Sequence, residues 1–87
     1  MSEGIREGGC LCGAVRYAIS GDPLVTAVCH CTHCQKQGGS AFSVVSVVAD
    51  AQYSQTGETK VYVDTGASGK AVQRHFCGSC GSPIVSL

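Results

Sequence analysis

The sequence has little from which to build an ordinary hydrophobic core. Its 87 residues include no Trp, one Met, two Phe and three Tyr. Domains of this size bury a small share of their surface and are marginal without cross-links or metals. We therefore expect one small domain, spanning residues 1–87, whose stability depends on more than apolar packing.

Charge asymmetry and long apolar runs are lacking as well. Six Lys and Arg balance six Asp and Glu, so the charge does not indicate a nucleic-acid or anionic membrane partner. No apolar run approaches the roughly 18 residues that a membrane-spanning helix needs. Residues 1–9 are polar and rich in Gly, unlike a secretory signal peptide. We expect a cytoplasmic protein with neither kind of partner.

Cysteine, in contrast, is abundant, with seven residues in the chain. A disulfide framework favours an even number and a secreted protein, whereas this number is odd and the cysteines form tight pairs. Metal binding is the better interpretation. A structural zinc ion can supply about 10–16 kcal/mol of apparent folding energy, which would compensate for the poor core.

Short β-like runs separated by 12 glycines predict a mostly β fold with little helix. Alternating or β-branched residues predict strands at 14–19, 24–31, 41–49, 60–64, 71–76 and 83–87. The run at 41–49 is the most apolar and is predicted to be a central strand. Residues 32–38 are predicted to form a helical turn, and residues 65–70 a hairpin loop.

The cysteines lie in three clusters: Cys10-Leu11-Cys12-Gly13, Cys29-His30-Cys31-Thr32-His33-Cys34 and Cys77-Gly78-Ser79-Cys80-Gly81. The C-x-x-C spacing lets two thiolates bind one ion, at about 2.3 Å each. A redox dithiol uses the same spacing, but here further thiols are available to complete a metal site. In an extended C-x-C segment both thiols point to one face, where a disulfide would be strained.

Seven thiols divide most naturally into four and three. Two pairs make a closed four-thiolate site of the structural type, and the triplet Cys29, Cys31 and Cys34 makes a three-ligand site with an open position, the catalytic type. The spacing alone leaves open which pairs combine.

A histidine could supply a fourth ligand to the triplet, and three are available. For each, a role other than ligand is favoured: His30 in packing or in supporting the metal ligands, opposite the sulfurs, His33 in an exposed loop and His75 on a strand surface. Arg16, Lys36 and Arg74 could hold a carboxylate, but charges that flank apolar strands are usually solvated, and we favour this interpretation for all three.

These clusters and their flanks resemble the glutathione-dependent formaldehyde-activating enzyme family, also called the GFA or centromere-protein-V domain family. The resemblance covers residues 8–85 in order. It is carried by Gly9-Cys10-Leu11-Cys12-Gly13-Ala14-Val15-Arg16-Tyr17, by Cys29 to Cys34 with Gly39-Ser40-Ala41-Phe42, and by Arg74-His75-Phe76-Cys77-Gly78-Ser79-Cys80-Gly81.

The resemblance implies a β-tent fold, in which antiparallel sheets are clamped by zinc. It implies a structural zinc on Cys10, Cys12, Cys77 and Cys80, and a second zinc on the catalytic triplet Cys29, Cys31 and Cys34. The family's activity would be a carbon–sulfur lyase type of reaction, which combines formaldehyde with glutathione into S-hydroxymethylglutathione. Glutathione would bind through its thiol at the open position, where the metal lowers the thiol pKa.

Two departures from the family pattern accompany this resemblance. Family members continue for several strands after the C-x-x-C-G motif, so we expect that the chain is truncated at its C-terminus, with either self-association or disorder of the last residues as the result. The alternative is a native end in a short edge strand. No motif indicates which residues bind glutathione.

Alternative functions for the same pattern are a non-catalytic, zinc-stabilised module that binds glutathione or another small thiol or aldehyde, and an interaction scaffold. The sequence assigns no oligomeric state.

Overall fold

The computed structural model describes residues 4–66 and 68–87, which are mostly β-structure. The strands are β1 Ile5–Gly9, β2 Arg16–Ser20, β3 Val25–Cys29, β4 Ser43–Val47, β5 Tyr53–Thr56, β6 Thr59–Thr65, β7 Ala71–Cys77 and β8 Pro83–Ser86. One α-helix, α1, spans Thr32–Gly38, and a short 3-10 turn spans Asp50–Gln52. The predicted mostly β class with little helix is confirmed, and α1 coincides with the predicted helical turn. None of the helices described is long and apolar enough to cross a membrane.

The strands form three small sheets, with strand orders β1-β2-β5, β3-β4 and β6-β7-β8. The pairs β3–β4, β6–β7 and β7–β8 are antiparallel. Contacts between Cα atoms divide the described chain into two compact units. One contains the residues up to Glu7 together with Ala18–Ser54, and the other contains Gly8–Tyr17 with Gln55–Leu87.

In the first unit, β3 and β4 form a two-stranded ribbon whose register runs from Val25 opposite Val47 to Cys29 opposite Ser43. Cys29 therefore lies at the end of the ribbon, where the chain enters the helical segment. The predicted central position of the run at 41–49 is wrong, because β4 pairs only with β3 within the described residues. Val44 is 65% exposed. A β-branched apolar run indicates a strand, but it does not determine how many neighbours that strand has.

In the second unit, β6 and β7 pair along seven residues, from Thr59 opposite Cys77 to Thr65 opposite Ala71. The pairing of β7 with β8 shifts register between His75 and Phe76. Such irregularities bend a strand and redirect the side chains beyond it. Cys77 follows directly and is the last residue of β7.

The buried core of the second unit consists largely of thiols. Val15, Cys77 and Cys10 are buried, and Cys80 and Ile84 pack against them. Burying one valine contributes only about 1.5–3 kcal/mol. Apolar packing of this extent contributes little against the entropy of ordering the chain, as the shortage of large apolar residues predicts.

An ion pair between neighbouring strands supplements this core. Arg74 Nε donates a hydrogen bond to a carboxylate oxygen of Asp64 at 2.8 Å, and both side chains are nearly buried. The other carboxylate oxygen of Asp64 accepts the backbone N–H of Thr65. The interpretation of Arg74 as a solvated charge is therefore wrong, because its partner lies on an adjacent strand that the local sequence does not reveal.

We predict that Asp64→Asn lowers the free energy of unfolding by about 2 kcal/mol, because it removes the negative charge that faces the poorly solvated Arg74 guanidinium. Asp22→Asn is the matched control, since Asp22 forms an ion pair of the same 2.8 Å length with Arg6, but with both side chains half-exposed. Its cost should be below about 1 kcal/mol. Urea denaturation of both variants measures the difference, and equal costs would contradict a stabilising role for the buried pair.

Gly57 allows a close backbone approach in the second unit. Its φ is +88°, and a Cβ at this position would collide with the carbonyl oxygen of Ala14. Gly57 therefore adjoins the segment that connects Cys12 to the buried Val15.

Gly57→Ala should destabilise the protein by about 2 kcal/mol more than Gly69→Ala, because overpacking is added to the backbone strain. Gly69 is the control because its φ is +84° and a Cβ there meets no described atom within 4 Å. Thermal denaturation of both variants measures the difference. Equal melting temperatures would show that backbone strain alone sets the requirement for glycine.

Candidate metal centres

Two groups of thiols within the described residues are arranged closely enough to hold a metal ion. One contains Cys10, Cys12, Cys77 and Cys80, and the other contains Cys29, Cys31 and Cys34; in each, the sulfur atoms lie within 4.8 Å of one another. All seven cysteines are free thiols. The structure thus brings the predicted residues together in the four-plus-three division.

The four-cysteine cluster has the spacing of a tetrahedral thiolate site. The Sγ atoms of Cys10 and Cys12 are 3.6 Å apart, and those of Cys12 and Cys77 are 3.7 Å apart. Zinc–sulfur bonds of about 2.3 Å in a tetrahedron separate the sulfurs by about 3.8 Å. The residues therefore fit a zinc ion with little rearrangement of these pairs.

A short loop after β1 holds Cys10. The backbone N–H of Cys10 donates to the carbonyl of Val15 at 3.0 Å, and the N–H of Val15 donates to Cys10 Sγ at 3.3 Å. This second bond lowers the pKa of Cys10, because it stabilises the thiolate. The loop therefore both places the sulfur and favours the form that binds metal.

The C-terminal pair lies in a tight turn that follows β7. The N–H of Cys77 donates to the carbonyl of Ser82 at 2.9 Å, and the N–H of Gly81 donates to the carbonyl of Cys77 at 2.8 Å. Gly81 has a φ of +79°, a conformation that glycine adopts without the steric cost of a Cβ. The N–H of Ser79 donates to Cys77 Sγ at 3.4 Å.

The thiols of this cluster differ in acidity. The side-chain hydrogen bond with Ser82 is the main reason why the pKa of Cys80 is lowered to about 5. Cys12 has a backbone contact with Ala14 that lowers its pKa, but the neighbouring thiols of Cys10 and Cys77 outweigh it and raise the pKa to about 11. Closely spaced thiols resist simultaneous ionisation, and a bound cation would remove that resistance.

The three-cysteine cluster lies where β3 passes into α1. Cys29 ends β3, and Cys31 precedes α1 as its N-cap, with its sulfur accepting the backbone N–H of Cys34 at 3.4 Å. This N–H is the main reason why the pKa of Cys31 is lowered to about 7. The Cys29 thiol is the main reason why the pKa of Cys34 is raised to about 12. Cys34 lies in the first turn of the helix, as the spacing predicts.

The spacing of the triplet is less uniform than that of the four-cysteine cluster. Cys29 Sγ is 3.5 Å from Cys31 Sγ and 2.6 Å from Cys34 Sγ. The first distance is near the edge of a zinc–thiolate tetrahedron, whereas the second would have to lengthen by about 1 Å. The three thiols therefore fit a zinc ion after the sulfurs of Cys29 and Cys34 move apart by this amount.

The two clusters differ in how many of their thiols are buried. In the four-cysteine cluster Cys10 and Cys77 are buried, Cys80 is half-buried and Cys12 is exposed, whereas in the triplet Cys31 is exposed and Cys29 and Cys34 are half-buried. A thiol in solution could therefore approach the triplet directly. Two buried thiols favour a structural role for the four-cysteine cluster, and the triplet has none.

Neither thiol group includes a histidine. His30 is exposed, and its ring lies 5.6 Å from the ring of Phe42, which agrees with the packing role expected for it. His33 is exposed on the helix, outside the triplet.

The prediction for His75 is wrong, since it is half-buried rather than on a surface. Its Nδ1 atom is 2.8 Å from the hydroxyl of Thr59, and its Nε2 atom is buried without a hydrogen-bond partner in the described structure. The neighbouring strands of its sheet, which sequence periodicity does not identify, account for this burial.

Two residues near the four-cysteine cluster were not identified from the sequence. Val15 is fully buried against it, and the hydroxyl of Ser82 lies 3.2 Å from Cys80 Sγ. The position of Ser82 directly after the C-x-x-C-G motif was the available signal. Its role depends on contacts across the chain, and the motif does not encode them.

Comparison with known proteins identifies the family. The model of a protein family described as "Glutathione-dependent formaldehyde-activating enzyme" matches residues 5–87 of the sequence. The chain therefore belongs to the glutathione-dependent formaldehyde-activating enzyme family, which confirms the resemblance seen in the sequence.

Curated relatives agree with this assignment. The chain is 36% identical over 74 residues to a protein of Fusarium vanettenii, 30% identical over 83 residues to one of Halomonas elongata, and 34% identical over 74 residues to one of Emericella nidulans. Each of these proteins has the name "Putative glutathione-dependent formaldehyde-activating enzyme".

The matched regions cover most of this chain but a smaller share of each relative. They include 83%, 90% and 83% of this chain, but only 38%, 53% and 36% of the relatives, in the same order. The chain therefore spans about half the length of these relatives or less.

The two clusters should respond differently to loss of a thiol. Cys77→Ser should unfold the second unit, because a closed metal site contributes folding energy. Cys31→Ser should leave a folded protein that binds one fewer metal ion. Elemental analysis and circular dichroism measure both effects, and equal loss of structure in the two variants would contradict the division into a structural and an accessible cluster.

Proposed function

We propose that this chain provides zinc-dependent condensation of formaldehyde with glutathione to S-hydroxymethylglutathione, a carbon–sulfur lyase type of activity. The observation that carries the proposal is a cluster of three thiols, none of them fully buried, present in addition to a cluster of four that contains two buried thiols. Family membership and the names of the relatives support the substrates.

In this proposal the cysteines have two roles. Cys10, Cys12, Cys77 and Cys80 hold a structural zinc ion. Cys29, Cys31 and Cys34 hold a second zinc ion and form the catalytic site. The tetrahedral spacing of the first group and the exposure of the second support the assignment.

Zinc at the triplet would supply one open coordination position and would lower the pKa of a thiol placed there. The residues of the triplet fix that position. Cys29 is held at the end of β3. The N–H of Cys34 holds the Cys31 sulfur, and the carbonyl of Cys34 accepts a hydrogen bond from the Ser43 hydroxyl at 2.9 Å.

The reaction itself is an addition without oxidation or reduction. The sulfur of glutathione, having lost its proton, forms a bond to the carbon of formaldehyde. The carbonyl π electrons move to oxygen, which takes up a proton from water or a nearby acid. Holding both reactants at one site would contribute most of the acceleration through proximity.

The proposal also includes a cytoplasmic location and small-molecule partners. Seven free thiols favour a reducing compartment, since disulfides are rare in the cytosol. The balance of six basic and six acidic residues gives no support for a nucleic-acid partner.

Cobalt substitution tests whether the triplet accepts a thiol. We expect glutathione to intensify and shift the sulfur-to-cobalt charge-transfer band of the cobalt-loaded chain, because a further thiolate joins the metal. S-methylglutathione, which has no thiol proton to lose, should leave the spectrum unchanged. Cys31→Ser should abolish the response, which distinguishes the triplet from the four-cysteine cluster.

Catalysis is measured separately, by exchange NMR of S-hydroxymethylglutathione formation with the zinc-loaded chain. A rate above that of the uncatalysed addition, lost in Cys31→Ser, would support the enzyme. A spectral response to glutathione without acceleration would instead support a non-catalytic thiol-binding module. No response at millimolar glutathione would contradict both.

A further inference from the structure

We propose that the Ser82 hydroxyl is a positioning group for the four-cysteine cluster. It connects the two pairs of cysteines, which are far apart in the sequence, and thereby strengthens metal binding. This inference rests on the proposed binding of zinc by Cys10, Cys12, Cys77 and Cys80. It assigns a role to a residue that is not a metal ligand.

The geometry around this hydroxyl joins segments far apart in the chain. Ser82 Oγ accepts a hydrogen bond from the backbone N–H of Leu11 at 3.1 Å, across 71 residues of sequence. The same oxygen lies 3.2 Å from Cys80 Sγ. One side-chain atom therefore contacts both the Cys10–Cys12 loop and the turn that holds Cys77 and Cys80.

The single hydroxyl proton determines the direction of these bonds. Leu11 N–H can only donate, so it uses a lone pair of the serine oxygen. The hydroxyl proton then remains available for the sulfur of Cys80. A metal-bound cysteine is a thiolate and can only accept, so the serine donates to it.

The backbone fixes the position of the hydroxyl. The carbonyl of Ser82 accepts the N–H of Cys77, and the N–H of Gly81 bonds to the carbonyl of Cys77. Because Cys77 and Ser82 are tied together in this way, the serine oxygen is held in register with the sulfurs.

Leu11 shows which part of the N-terminal loop is held. Its side chain is 87% exposed, so packing does not restrain this residue. Its N–H, placed between Cys10 and Cys12, is the group that Ser82 binds. The hydroxyl therefore restrains the C-x-C loop at its midpoint. Because the loop is already ordered, it loses less conformational entropy when a metal ion binds.

The test compares Ser82→Ala, Ser82→Thr and Ser79→Ala in the full chain carrying Cys31→Ser, so that the four-cysteine cluster dominates metal binding. Chelator competition gives the zinc affinity. Ser82→Ala should weaken zinc binding about tenfold, the effect typical of losing a group that orients a ligand. Ser82→Thr retains a hydroxyl and should restore it. Ser79→Ala is the control, because the contact of Ser79 with Cys77 uses the backbone N–H.

Cobalt spectroscopy separates this role from a purely structural one. Loss of the hydrogen bond to Cys80 raises the energy of the sulfur electrons, so Ser82→Ala should move the charge-transfer band to lower energy. Ser82→Thr should return it. A variant that is only less stable would unfold at a lower temperature with the band unchanged.

The outcomes separate the inference from the proposed function. If the parent chain binds no zinc, the proposed metal site fails, and this inference fails with it. If the parent chain binds zinc and Ser82→Ala binds it equally well, only the inference is overturned. Equal losses in Ser82→Ala and Ser79→Ala, or no recovery in Ser82→Thr, would overturn it as well.

Discussion

The second unit of this protein depends on a cluster of four thiols, two of which occupy the place of a hydrophobic core. Cys10 and Cys77 are buried, and Val15 is the only other buried core residue in the part of the chain that the structure describes. Contacts between sulfurs at 3.6–3.7 Å contribute little stabilisation by themselves. A few directional metal–thiolate bonds would replace the large apolar area that this sequence cannot supply, which explains how so few aromatic residues suffice.

The two clusters contain the same local hydrogen bond, but the sulfur that accepts it differs in exposure. In each, a backbone N–H donates to a cysteine sulfur, from Val15 to Cys10 in one and from Cys34 to Cys31 in the other. What differs is the surrounding chain. The first sulfur is enclosed by the core, whereas the second remains exposed. In the proposed function one ligand type would serve both structure and chemistry, with accessibility rather than ligand identity determining the role.

The features that depend on local sequence were predictable. The helix at Thr32–Gly38 and the convergence of Cys29, Cys31 and Cys34 follow from residue spacing. The grouping of Cys10 and Cys12 with Cys77 and Cys80 was implied only by the family resemblance. Features that depend on strand pairing were not predictable. The strand Ile5–Gly9 was missed because its residues are polar and rich in Gly. Residues 41–49 were placed centrally because their composition suits a buried strand, and Ser82 was overlooked because its partner lies 71 residues away.

The separation of the cysteines along the chain imposes an order on assembly. The triplet closes a loop of five residues, from Cys29 to Cys34, whereas Cys12 and Cys77 are 65 residues apart. Closing the longer loop costs about 4 kcal/mol of chain entropy, and the cost of the shorter one is less than half as large. During synthesis Cys34 also precedes Cys77. The local cluster can therefore form on a nascent chain before the long-range cluster, which requires the segment that contains Cys77 and Cys80.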